Sequence, residues 1–96
     1  MQITSTISDA STTLALDGWL DTGTAPALAT EIESLDPTCK ELILDLASLE
    51  YISSAGLRVI VAAYKKLSGK LTIVNVSPEV MQVFRMAGFD KRLNIA

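Results

Sequence analysis

The chain has 96 residues, 49% hydrophobic and 20% charged, which is the balance of a folded globular domain rather than a disordered one. Eleven acidic against eight basic residues give a net charge of −3, so no basic footprint for nucleic acid is present, and a chain without histidine cannot assemble a Ser-His-acid triad. The single cysteine, Cys39, leaves no internal disulfide and no metal-ligand set.

At this length one core serves a single domain spanning residues 1–96. No apolar run approaches the ~20 residues of a membrane span, and the first residues lack the basic and apolar regions of a signal peptide. A cytoplasmic location is therefore expected.

Gln2 to Ser8 and Thr12 to Asp17 each alternate polar with apolar residues. With the polar turn Asp9-Ala10-Ser11 between them they read as an antiparallel hairpin that ends at Gly18. Trp19 to Thr24 then forms a connector, with Trp19 expected to cap the core and an exposed interface anchor as the alternative. Ala25, Leu28, Ile32 and Leu35 recur at helical spacing, Thr24 is the candidate N-cap, and Pro26 falls in the first turn, where a missing N–H costs nothing. The helix must stop before Asp36-Pro37, because a residue preceding proline is pushed out of helical geometry.

Glu41 to Leu46 is a short apolar strand, and Leu57, Ile60, Val61, Tyr64 and Leu67 follow at helical spacing. Ser53, Ser54, Ala55 and Gly56 occupy the switch of period. One of the two serines caps the helix, and its free N–H groups and dipole favour an anion at that end. Gly56 lies in the first helical turn. A glycine kept small there for a neighbouring loop or a partner predicts that Gly56→Ala leaves the free protein as stable or more so. Gly69 closes the helix, Leu71 to Val76 is a second buried strand, Ser77 caps and Pro78 opens a further helix carrying Val80, Val83 and Phe84, and Lys91 to Ile95 forms a short last strand.

On periodicity alone the stretch Tyr51 to Ile60 is an ordinary strand-to-helix turn. Its residues Leu44-Asp45-Leu46 and Tyr51-Ile52-Ser53-Ser54-Ala55-Gly56-Leu57, however, resemble the signature of the STAS domain, in particular the bacterial anti-sigma-factor antagonists. Leu16, Gly18, Leu20 and Asp21, and later Ser77-Pro78-Glu79-Val80, Phe84 and Ala87-Gly88-Phe89, are similar to two further motifs of that family in the same order. Counted back from Gly56, Ser54 falls on the family's phosphorylated serine, Ser53 on its usual aspartate and Ala55 on its second hydroxyl residue.

The resemblance implies an α/β fold, a mixed sheet of four to five strands with an N-terminal hairpin and three or more helices packed against it. It also implies a partner-switching regulator with no cofactor. The unphosphorylated form would bind an anti-sigma factor that is also a serine kinase, phosphorylation of Ser54 would release it, and a serine phosphatase would reset it. The partner-binding residues carried over are Asp21, Ser53, Ser54, Ala55, Gly56 and Leu57. Two other readings remain open, a STAS subunit of a membrane transport system and a module binding a small ligand or nucleotide. Neither a phosphate loop nor a nucleophile elbow is present, so no enzyme is expected.

Overall fold

Leu14 and Leu16, Leu42, Leu44 and Leu46, and Leu71 and Ile73 are all fully or almost fully buried, while the residues between them on each strand are partly exposed. Successive side chains on a strand point to opposite faces, so this alternation defines a sheet with one covered and one open face. A computed structural model describes residues 1–96. Its elements are β1 (Gln2–Ser8), β2 (Ser11–Leu20), α1 (Ala25–Glu33), β3 (Glu41–Ile52), α2 (Ser54–Lys66), β4 (Leu71–Val74), α3 (Pro78–Met86) and β5 (Asn94–Ile95).

The five strands lie in the order β1-β2-β3-β4-β5; β1 is antiparallel to β2 and every later pairing is parallel. Three helices connect the parallel strands, and Leu28 and Ile32 of α1, Leu57 and Ile60 of α2, and Val80 and Phe84 of α3 join the inward-facing strand residues in one core. A right-handed sense for each crossover puts all three helices on the covered face. The expected mixed sheet with an N-terminal hairpin and helices against it is thus the observed architecture.

Several boundaries differ from the expectation, each for a local reason. β2 does not end at Gly18 but continues through Trp19 to Leu20, because Gly18 adopts φ 104°, a conformation that a side chain would resist, and keeps the strand in the sheet. β3 is twelve residues long rather than six. Its register against β2 shifts between Ala15 and Asp17 and again between Gly18 and Trp19, with the extra residues on β3. These bulges reset the facing, so that Leu46, Leu49 and Ile52, three apart, are all buried.

β4 stops at Val74, where Asn75 takes a left-handed φ of 59°, and only Asn94–Ile95 of the last segment pairs with the sheet. Trp19 does not cap the core. It is 56% exposed, because the parity that buries Leu14, Leu16 and Leu20 points it to the open face. There it pairs with Tyr51, itself 44% exposed, at a ring-centroid distance of 5.1 Å.

The caps explain why the helices start where they do. The Ser77 hydroxyl accepts a hydrogen bond from Val80 N at 3.2 Å, and Pro78 opens α3 as expected. Thr24 precedes α1 but provides no side-chain cap, since its own backbone is already helical. Its hydroxyl instead accepts from Asp21 N at 2.8 Å and lies 2.8 Å from Trp19 O, tying the end of β2 to the start of α1. No helix is long and apolar enough to cross a membrane.

Candidate functional site

The junction of β3 and α2 divides the two adjacent serines between two tasks. Ser53 has an extended backbone (φ −94°, ψ 171°), and its hydroxyl accepts from Gly56 N at 3.2 Å, so Ser53 is the N-cap. Its backbone N–H donates to Leu20 O at 2.8 Å and its carbonyl accepts from Leu57 N at 2.9 Å. Ser53 is therefore fixed on three sides. Ser54 is the first residue of the helix and is exposed, and its hydroxyl is not used as the cap.

Ala55 is half-buried and packs against the core, while Gly56 and Leu57 are buried. Gly56 is small for a reason set 36 positions earlier in the chain. A Cβ built on it would stand 2.5 Å from Leu20 Cγ, 3.0 Å from Leu20 Cδ2 and 3.0 Å from Leu20 O. Neither a positive φ nor a docking partner is needed to account for the glycine. The expectation that Gly56→Ala is harmless to the free protein is thereby corrected, because the end of β2 occupies the space a methyl group would need.

The same contact brings the β2–α1 loop beside the junction. Asp21, half-buried, turns one carboxylate oxygen to its own loop, where Oδ1 accepts from Gly23 N at 3.0 Å, Thr24 N at 3.0 Å and the Thr24 hydroxyl at 3.1 Å. These bonds, the Thr24 hydroxyl foremost, hold its carboxyl below the ordinary value of 3.8. Asp21 thus builds the loop in addition to any outward role. Trp19, for which an exposed position is the alternative expectation, and Tyr51 pair near the ends of the same two strands on the open face. The parity of β2 is the signal that would have found Trp19.

On the covered side, a groove of about 430 Å³ runs between α2 and the segment after α3, lined by Ser54, Leu57, Arg58, Val61, Lys65 and Phe89 among others. Its lining contains no histidine, cysteine or carboxylate. The junction presents one hydroxyl at a helix start, an apolar groove next to it and two cations on the groove's rim.

The sequence profile of the STAS domain matches residues 2–96. The chain belongs to the STAS domain family. Among STAS relatives, a protein of Bordetella bronchiseptica named as an anti-sigma factor antagonist, BtrV, is 34% identical over 93 residues, 93% of this chain and 80% of that protein. The crystal structure of an anti-sigma factor antagonist from Mycobacterium paratuberculosis superposes with a TM-score of 0.87 at 26% identity, covering 98% of this chain and 83% of that one. The anti-sigma factor antagonist SpoIIAA in its unphosphorylated form has the same fold, with a TM-score of 0.85 at 19% identity over 99% of this STAS domain and 88% of that chain.

Proposed function

We propose that this STAS domain is an anti-sigma-factor antagonist, a partner-switching regulator that works in the cytoplasm. It docks on an anti-sigma factor with serine kinase activity, is released when that kinase phosphorylates Ser54, and is reset by a serine phosphatase. The observation that carries the reading is the division of labour between the serines: Ser53 is committed to the cap, while Ser54 offers an exposed hydroxyl at a helix start. The named role of the Bordetella bronchiseptica relative supports the same reading.

Docking centres on Ser54, with Asp21 and the segment Ser53, Ala55, Gly56 and Leu57 shaping the surface around it. A phosphate adds about −1.5 to −2 charge at pH 7 where a helix start tolerates it, so the fold persists and the docking surface changes. A penalty of about 3 kcal/mol lowers affinity roughly a hundredfold, enough for a switch.

The test is incubation with the candidate anti-sigma kinases of the same organism, followed by mass spectrometry and titration of variants. Ser53→Ala is expected to accept phosphate still, Ser54→Ala to bind constitutively and Ser54→Asp to bind poorly. Phosphate on Ser53, or equal affinities for the two Ser54 variants, overturns the reading in favour of an unswitched STAS subunit of a transport system.

A further inference from the structure

Arg58 stands one helical turn after Ser54 on α2 and is exposed. Side chains on a helix lean towards its N-terminus and residues four apart have Cβ atoms about 6 Å from each other, so the Arg58 guanidinium is within reach of a group carried on Ser54. Both residues line the groove whose apolar lining includes Leu57, Val61 and Phe89. Arg58 has no carboxylate to pair with on its own element, since α2 contains neither Asp nor Glu, and none lines the groove. Lys65 lines the same groove but follows Ser54 by eleven residues, about 16 Å along the helix axis, beyond reach of a group on Ser54.

We propose that Arg58 holds the phosphate carried on phosphorylated Ser54 and draws it across the mouth of the apolar groove. Modification then closes a groove as well as adding charge. This rests on Ser54 being the modified residue. An anion four residues before a cation is the favourable orientation on a helix, and a guanidinium matches two phosphate oxygens at once. The cation offsets about half of the added charge, so release of the partner comes in part from the covered apolar lining.

The experiment installs phosphoserine at position 54 by genetic encoding, which makes it independent of any kinase, and follows the phosphate by ³¹P NMR titration at low salt. The second phosphate pKa, near 6 for a free phosphoserine, is expected to rise by about 0.6 when Arg58→Gln removes one unit charge about 5 Å away. Arg58→Lys should restore most of the shift, and Lys65→Gln, which removes a charge about 16 Å away along the helix, should move the titration by no more than about 0.2. Amide resonances of Val61 and Phe89 should move on phosphorylation in the parent and much less in the Arg58→Gln variant. A phosphate that titrates identically in the parent and Arg58→Gln, or one that responds as much to Lys65→Gln, overturns the proposal. A kinase that ignores Ser54 removes the proposed function instead, and the encoded phosphoserine still reads the clamp.

Discussion

Gly56→Ala adds one methyl group where the chain has least room for it. The new Cβ would lie 2.5 Å from Leu20 Cγ and 3.0 Å from the Leu20 carbonyl oxygen. Neither atom can swing aside, because Leu20 is fully buried and its carbonyl already accepts from Ser53 N at 2.8 Å. Forcing extra volume into a packed core costs about 1–3 kcal/mol. Alanine returns up to about 1 kcal/mol of helix propensity. The net loss of about 1–2 kcal/mol corresponds to a fall in Tm of roughly 5–15 °C for a domain of this size. Thermal melting followed by circular dichroism reads it directly, and a second background isolates the cause. Leu20→Ala is costly by itself, about 2–5 kcal/mol, but it removes both side-chain atoms of the clash. Adding Gly56→Ala to it should cause little further loss, a non-additivity expected of residues in contact. A Tm of Gly56→Ala equal to or above the parent's refutes the packing argument. So does an equal loss in both backgrounds.

Other residues at the junction give sharper single readouts. Ser53→Ala deletes the hydroxyl that accepts from Gly56 N and should cost about 0.5–2 kcal/mol in denaturant unfolding, with the native fold retained. Asp21→Ala should lower the Tm near neutral pH. Because the folded carboxyl is held below its ordinary value, its stabilisation is present above that value and is lost as pH falls through the folded one, so melts of parent and variant should converge in acid. A gap that is constant with pH would mean that the carboxylate charge is not what the Asp21 loop uses. Trp19, the sole tryptophan, should be quenched by acrylamide in the folded protein almost as readily as in the unfolded chain. Trp19→Ala should lose about 0.5–1.5 kcal/mol for its tilted ring pair with Tyr51, in addition to the term for the part of the ring that is buried.

The order of strands and helices was legible because the apolar spacing changes cleanly from two to near four along the chain, and because Ser77-Pro78 and Gly69 punctuate helices in the usual way. What the sequence hid were places where a distant contact decides. The bulges of β3 have no marker in Leu46 to Ile52, since they exist only against β2. Gly18 looks like a strand terminator until its neighbours on β3 are known. At the junction, Ser53 and Ser54 are equally good caps by type, and only the end of β3 at Ile52 assigns the role to Ser53. The need for a small residue at 56 was visible; the Leu20 side chain that imposes it was not.

The strands lie side by side in the order in which they occur along the chain, and no later strand is inserted between two earlier ones. Each new strand meets an edge already in place, and it arrives through a short crossover whose helix covers the seam just formed. Assembly can therefore follow synthesis from the N-terminal hairpin outwards, although each parallel pairing, such as Leu14 with Leu44 or Leu42 with Leu71, must first close the loop of a whole crossover, which makes those pairings the slow steps of folding. The growing edge is finally left to β5, a pairing of just two residues, too short to serve as a template on which another chain could extend the sheet.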